Sequence, residues 1–188
     1  MVKSREFPSE ILEDPAYLSY KGVWDMQDLY ESMIDFFLRR KYKFQEKRYK
    51  HKHPSPFGCE RQYTWAFWRN ENDYIQIKYE VYMHTYDTHD IEVITPGGEK
   101  KTYLKGRMYF EIKAFTVTDY EKRWDENKFY KHLKDFYSKY VIRKNYTQGW
   151  NPKRRYEMYE LVALIKNKLK MESQEYEHRN FAGVNKRY

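Results

Sequence analysis

The stretch Tyr74–Tyr86, YIQIKYEVYMHTY, decides the fold because apolar and polar side chains alternate along it. One parity is apolar (Ile75, Ile77, Tyr79, Val81, Met83) and the other is mostly polar (Gln76, Lys78, Glu80, His84). Successive side chains of a β-strand point to opposite faces, so the pattern predicts a long strand with one buried and one solvated face. Such a strand is typical of an antiparallel sheet that is covered on one side.

Stretches on both sides of this strand predict its partners. We expect strands at Tyr42–His53, Glu60–Arg69, Ile91–Ile94, Lys101–Leu104 and Arg107–Thr118. Pro54–Gly58 predicts a loop, Asn70–Asp73 a turn, Pro96–Gly98 a hairpin turn and Gly106 a bulge or bend. Short connections favour a meander of about five antiparallel strands. The basic strand Tyr42–His53 is expected at a sheet edge, where lysines discourage stray pairing.

Three helices are predicted, at Asp25–Arg40, Asp125–Lys144 and Lys153–Met171. In the first, Asp25 is the expected N-cap, and an apolar stripe follows helical spacing (Met26, Leu29, Tyr30, Met33, Ile34, Phe37). The second carries a similar stripe (Phe129, Leu133, Phe136, Tyr137, Tyr140, Val141). Because no helix separates the strands, the order predicts an α+β fold with all three helices on one face of the sheet. A helix-grip arrangement is one way to build it.

The two ends of the chain lack periodicity. Residues 1–22 contain Pro8 and Pro15 and are predicted to form an extended arm lying on the body, with one helical turn at Ser9–Glu13. Residues 173–188 are predicted to be a C-terminal tail. The whole of 1–172 is expected to form one domain, since 188 residues suffice for one sizeable core.

Composition bounds the cellular context. The single cysteine, Cys59, excludes an internal disulfide and favours a reducing compartment. No apolar run approaches the roughly 18 residues of a transmembrane helix, and the charged N-terminus lacks the apolar region of a signal peptide. We therefore expect a cytoplasmic protein. No cofactor and no metal site are predicted, and a binding protein is favoured over an enzyme.

Positive charge is concentrated in one short segment. The net charge is +8, and residues 39–53 hold eight Lys or Arg against one acid, whereas residues 1–38 hold three against eight. The basic stripe consists of Arg39, Arg40, Lys41, Lys43, Lys47, Arg48, Lys50 and Lys52, with His51 and His53 beside it. Such clusters bind phosphate backbones, and aromatic neighbours add base stacking; Trp68, Tyr49 and Tyr82 are the candidate platforms. RNA or another polyanion is the predicted partner, and an ordinary solvated edge strand is the alternative.

A second candidate site is the segment with His84, Asp87, His89 and Asp90. Two imidazoles and two carboxylates within seven residues can ligate a metal or act as an acid–base pair, provided that a turn at Asp87–Thr88 brings them together. The spacing matches no zinc signature. Asp and Thr are also the residues that a turn or bulge between strands favours, and this interpretation takes precedence.

A third candidate is a cavity between the sheet and the helices. Its predicted lining is aromatic and aliphatic (Trp65, Phe67, Ile77, Met108, Phe110, Phe136, Leu161). In that case the protein would bind or hydrolyse a small molecule, with His84 and His89 as acid–base groups. A filled core is the competing interpretation, since protein interiors are close-packed.

Three stretches carry a resemblance: YKGVWDMQDLYESMIDFF at 20–37, the segment from KYKF at 41–44 to YKHKHPSPFG at 49–58, and MHTYDTHDIEV at 83–93. They resemble a family of conserved hypothetical proteins from small archaeal genomes, and the resemblance runs along most of the chain. It implies no activity, so no functional residue is carried over from it.

Overall fold

A computed structural model of the chain describes residues 10–55, 58–94, 100–124, 128–138, 140 and 151–171. In these residues the strands are β1 (Glu10–Leu12), β2 (Ala16–Trp24), β3 (Lys43–Ser55), β4 (Gly58–Asn70), β5 (Ile75–Ile94) and β6 (Lys100–Thr118). The helices are α1 (Met26–Arg39), α2 (Lys128–Tyr137) and α3 (Asn151–Lys168). The strands form one antiparallel sheet, in which β3, β4, β5 and β6 are consecutive neighbours and both β1 and β2 pair with β6. The predicted α+β class is confirmed.

Strand β5 lies in the middle of the sheet, as its alternation predicted. The apolar parity is buried: Ile75, Ile77, Tyr79, Val81 and Met83 each expose 3% or less of their surface. These side chains belong to the core that α1 and α3 cover; for example, the ring centroids of Phe37 and Tyr79 are 5.3 Å apart. The opposite parity of β5 carries the partly solvated side chains.

The N-terminal arm is part of the sheet, and the predicted helical turn at Ser9–Glu13 is wrong. Glu10–Leu12 forms β1 and pairs with Phe115–Val117, and β2 pairs with Leu104–Ile112. Pro15 lies between the two strands, where its missing N–H costs no ladder hydrogen bond. Ser9 itself lies outside the described residues.

The segments predicted as short separate strands near residue 90 are continuations of two long strands. β5 runs without a turn to Ile94, and its pairing with β6 shifts register between Tyr86 and His89, where Asp87 has a φ of 51°. This is a β-bulge, the second of the two structures that Asp and Thr favour. A Cβ added to Gly106 would lie 2.7 Å from the carbonyl oxygen of Tyr86, so the bulge depends on a neighbour without a side chain. The predicted turn Pro96–Gly98 lies outside the described residues.

Helix α1 follows its sequence signals closely. The Asp25 carboxylate accepts hydrogen bonds from the backbone N–H groups of Gln27 and Asp28, which confirms it as the N-cap. The buried stripe is Leu29, Met33, Phe36 and Phe37. Helix α3 buries a matching stripe of Met158, Leu161 and Ile165, which Leu169 continues just after the end of the helix. The two helices pack on the same face of the sheet and against each other.

Helix α2 is held at one end of the sheet. Ser138 lies 2.9 Å from the Tyr74 hydroxyl, and Lys134 forms a 2.8 Å ion pair with the buried Asp119. The predicted start at Asp125, the end at Lys144 and the tail 173–188 lie outside the described residues. None of the helices in the described part is long and apolar enough to span a bilayer.

Candidate nucleic-acid interface

The sheet has two faces of different chemistry. We use the term open face for the strand side chains that point away from α1 and α3. The strand register aligns its residues in rows across the sheet. One row runs from β3 to β2 through Lys50, Gln62, His84, Tyr109 and Ser19, and the next runs through Arg48, Thr64, Tyr82, Glu111 and Tyr17. Parallel rows of polar and aromatic side chains therefore cover the face opposite the core.

Positive charge dominates the open face. Among the described residues, ten cations lie on it: Lys21, Lys43, Lys47, Arg48, Lys50, Lys52, Lys78, Lys105, Arg107 and Lys113. Five carboxylates accompany them: Glu10, Glu60, Glu80, Glu111 and Asp87, which pairs with Arg107. A surface with this excess attracts polyanions and raises their rate of encounter.

The predicted basic stripe divides between two parts of the molecule. Arg39 and Arg40 end α1, where Arg39 pairs with Asp35 at 2.5 Å and Arg40 pairs with Glu160 at 2.7 Å. Arg40 also donates to the Phe36 carbonyl oxygen, so its side chain joins α1 to α3. The residues from Lys43 onward, in contrast, enter β3 and face the other side of the sheet. Arg39 and Arg40 are thus separated from the rest of the stripe because the helix ends there.

Three residues of the basic stripe, or beside it, remain to be placed: Lys41, His51 and His53. Lys41 lies in the turn between α1 and β3 with a φ of 63° and is exposed. His51 lies opposite Arg61, on the helix side of β3, and the side chain of His53 lies outside the described set. Lys41 and His51 therefore add no positive charge to the open face.

The β3 cations differ in their partners. Lys47 forms a 2.6 Å ion pair with Glu80, and Lys52 forms one of 2.8 Å with Glu60. Lys43, Arg48 and Lys50 are exposed and have no carboxylate partner among the residues that the structure describes. Exposed ion pairs contribute little stability, so a phosphate can compete for Lys47 and Lys52 as well.

The described acidic residues of the N-terminal arm pair with cations outside β3. In its described part, Glu13 pairs with Arg154 at 3.3 Å and Asp14 with Arg155 at 3.5 Å, both on α3. Glu10 lies 3.8 Å from Lys78 of β5. The acidic arm therefore neutralises α3 and one cation of β5.

Aromatic rings accompany the cations, although not all the predicted ones. Trp68 and Tyr82 lie on the open face, opposite Lys78 and Glu111. Tyr49 lies on the helix side, with its ring centroid 4.9 Å from that of Tyr63, so it is not part of the open face. Sequence reasoning missed four further open-face rings, which are Tyr17, Tyr86, Tyr109 and Phe115. The signal for Tyr109 and Phe115 was the alternation of β6, which places them on the polar parity.

His84 lies on the open face and is largely covered by its neighbours. Its exposure is 8%, and its ring centroid lies 3.7 Å from that of Tyr86. Gln62 donates to Nε2 at 3.3 Å, and Nδ1 lies 3.3 Å from the Tyr82 hydroxyl. Burial lowers the pKa of His84, and the nearby Glu60 carboxylate opposes that shift. The imidazole is therefore neutral at pH 7, with Nε2 as a hydrogen-bond acceptor.

The four residues of the second candidate site do not converge. Asp87 pairs with Arg107, and His89 and Asp90 are exposed opposite Lys105 and Leu104. On β6, Lys105 is four residues from the partner of His84, a separation of about 13 Å. Among the described residues no group of three or more His, Cys, Asp or Glu side chains is placed to hold a metal ion.

The predicted cavity lining belongs to the core. Trp65, Phe67, Ile77, Met108, Phe110 and Leu161 are buried in one continuous cluster, whereas Phe136 is 60% exposed. Two shallow grooves lie elsewhere. One, of about 490 Å³, follows the acidic side of α1 at Asp28, Glu31 and Asp35. The other, of about 510 Å³, lies on the open face between β2, β5 and β6.

The open face thus combines exposed cations, aromatic rings and a groove, and the opposite layer combines the hydrophobic core with helices of which α1 has an acidic side. The sequence matches no protein-family model and none of the curated proteins compared with it, so the function has to be inferred from the chemistry of this face.

Proposed function

We propose that the protein binds single-stranded RNA across the open face of its sheet. The observation that carries the proposal is the joint presence on that face of ten cations and of aromatic rings such as Trp68, Tyr82 and Tyr109. Cations neutralise phosphates, and rings stack on bases that are not paired. Several RNA-binding domains use a sheet surface in this way.

The position of the unpaired cations favours a strand that crosses the sheet. Lys50 lies at one end of the row that passes through His84 and Tyr109 to Ser19. Four strand spacings of about 4.8 Å give this row a length of roughly 19 Å. Folds that bind single strands cover about 4–16 nucleotides, and this row suits the lower end of that range.

Single strands are favoured over duplexes because of the rings. A duplex hides the faces of its bases and offers a protein its shape, phosphates and hydroxyl groups. The rings of Trp68 and Tyr82 would then contribute nothing, whereas unpaired bases can stack on them. We therefore expect an unstructured oligonucleotide to bind more tightly than a duplex of the same length.

The decisive experiment removes the cations that have no carboxylate partner in the described part of the chain. The triple variant Lys43→Glu, Arg48→Glu, Lys50→Glu is titrated with a fluorescent 12-nucleotide RNA, and binding is followed by anisotropy. We expect an affinity loss of about 100-fold, because each lost phosphate contact also removes its counterion release. The purified wild-type protein should also carry nucleic acid, visible as excess absorbance at 260 nm.

The matched control places the same charge change on the helix layer. Lys153→Glu, Arg155→Glu, Lys170→Glu alters the net charge equally, and acidic residues are tolerated in the first turn of α3. This variant should bind within about threefold of wild type, since exposed charges more than a Debye length of about 8–10 Å away are largely screened. Equal losses in both variants, or no binding by the wild type, would refute the proposal.

A further inference from the structure

The groove on the open face has the dimensions of a ligand site. It measures about 510 Å³, within the roughly 300–1,000 Å³ typical of small-molecule sites. Its lining comes from three strands: Ser19, Tyr20 and Lys21 of β2, Tyr86 of β5, and Arg107, Met108 and Tyr109 of β6. Tyr20 and Met108 have the helix-side parity, and the other residues combine a hydroxyl, two cations and two rings on the open face.

The rings of Tyr86 and Tyr109 each pack against a neighbouring aromatic side chain. The Tyr109 ring stacks with that of Tyr17, with 6.3 Å between centroids and 22° between planes. The Tyr86 ring rests on His84 at 3.7 Å. Tyr86 is directly opposite Arg107, so Tyr109 is its diagonal neighbour, about 7–8 Å away. The Arg107 guanidinium carbon lies 5.9 Å from the centroid of the Tyr86 ring, so this ring and the cation lie side by side in the groove.

The cations of the groove differ in how firmly they are held. Arg107 is fixed by Asp87, whose Oδ2 accepts from Nε at 3.1 Å and also from the guanidinium NH2 group. Asp87 is in turn placed by the bulge of β5. Lys21 is exposed and has no carboxylate partner within the described ranges. One cation is therefore pre-positioned, and the other is free to follow an anion.

We propose that this groove takes one unpaired nucleotide of the bound RNA, with its base against Tyr86 and Tyr109 and its phosphate on Lys21 and Arg107. The inference rests on the proposed function, because the groove shares the row that leads from Lys50 through His84 and Tyr109 to Ser19. The groove would give this row of RNA-binding residues a defined end. The ligand class is a nucleoside monophosphate unit: a planar base joined to an anion.

The test separates the base from the phosphate. Adenosine 5′-monophosphate and ribose 5-phosphate are each titrated into 15N-labelled protein, and amide shifts are recorded for wild type, Lys21→Glu and two double variants. Tyr86→Phe with Tyr109→Phe keeps the rings, and Tyr86→Leu with Tyr109→Leu removes them. We expect wild type to bind the nucleotide at least fivefold more tightly than the sugar phosphate, with shifts centred on the groove.

The variants should divide these two contributions. The Phe pair should bind the nucleotide within about twofold of wild type, and the Leu pair should lose at least fivefold, the lower range for one stacked base. Lys21 is exposed, so we expect Lys21→Glu to fold as the wild type does and to weaken the binding of both ligands at least fivefold. Thermal unfolding confirms that each variant is folded. Equal binding of the two ligands by wild type, or an unchanged affinity in both the Leu pair and Lys21→Glu, overturns the inference.

A parallel anisotropy titration with the 12-nucleotide RNA distinguishes this failure from failure of the proposed function. RNA binding that depends on Lys43, Arg48 and Lys50 but is unchanged by the Leu pair leaves the proposed function intact and refutes the groove. If the groove binds the nucleotide but the protein does not bind RNA tightly, the nucleotide site is supported and RNA binding across the open face is refuted.

Discussion

The two faces of this sheet come from the same strands and differ in how their polar groups are used. On the helix side, Tyr42 and Tyr79 donate hydrogen bonds of 2.8 Å and 3.0 Å to the Glu157 carboxylate of α3. Burial raises the pKa of both hydroxyls, so they remain neutral donors. On the open face, Lys43, Arg48 and Lys50 have no such acceptor in the described part of the chain. These two tyrosines are satisfied within the molecule, whereas these three cations are available for a partner.

This comparison implies that substitutions on the two faces have opposite consequences. Phe67 is fully buried and stacks on Phe37 at 3.9 Å. Its neighbour along β4, Trp68, is only half-buried on the open face. The two residues are adjacent in sequence and similar in chemistry, so they form a matched pair for separating stability from binding.

The largest expected effect is that of Phe67→Ala, which should lower the free energy of unfolding by about 3–5 kcal/mol through lost burial and a cavity. Trp68→Ala should cost much less stability and should weaken RNA binding by about 1–3 kcal/mol, the contribution of one stacked base. Urea unfolding and RNA anisotropy on both variants measure the two quantities. The contrast between the faces fails if Phe67→Ala reduces the RNA affinity of the folded fraction as much as Trp68→Ala does.

Salt provides the next effect in size. If Lys21, Lys43, Arg48 and Lys50 contact four phosphates, the slope of log K against log salt is about −2.8 for a single strand. Raising the salt from 50 to 200 mM should then weaken binding about 50-fold. Removing three of these cations in the Lys43, Arg48, Lys50 variant should bring the slope close to −0.7. An affinity that does not respond to salt would show that the cations do not contact phosphates.

Much of this fold follows from local patterns, and the exceptions have physical causes. Strand β5 and helix α1 were predicted because their apolar residues repeat with the periods of a strand and a helix over more than ten residues. β1 has only three residues, which is too short to show a period. β2 was missed because its outward-facing Tyr17 and Val23 are apolar and break the alternation, so Tyr17, Ser19 and Lys21 were not assigned to the open face.

The candidate site was predictable only in part for a related reason. Arg48, Lys50 and Lys52 share one parity, so their common face follows from sequence. Lys43 has the other parity and joins that face only because the pairing with β4 shifts register between Glu46 and Arg48. Arg40 lies apart from these cations, and its side chain pairs with Glu160, which is 120 residues away in the chain. The groove depends on the pairing of three strands, and its two tyrosines come from β5 and β6. Local pattern cannot supply contacts of this kind.

The smallest expected effect is that of His84, which lies on the open face yet is almost buried. Its substitution therefore tests where the core ends and the binding surface begins. Its pKa is lowered on folding, so below the unfolded value of 6.5 the unfolded chain binds more protons than the folded one. Stability from this residue is present above pH 6.5 and is lost as the pH falls through 6.5 toward the folded value. Urea unfolding at pH 7.5 and 5.5 should show a larger loss in wild type than in His84→Gln, by a fraction of a kcal/mol.

Protonation of His84 should change the RNA affinity in the direction opposite to its effect on stability. The groups facing His84 are Gln62, Tyr82, Tyr86, Tyr109 and the carboxylate of Glu60, whose own pKa the Lys52 ammonium lowers. A protonated imidazole adds a cation to the row that leads to the groove, so RNA affinity in wild type should rise slightly on acidification, relative to His84→Gln. Because stability falls while affinity rises, the two measurements cannot both be explained by unfolding. If the variant follows wild type in both, His84 belongs to the core and the open face begins beyond it.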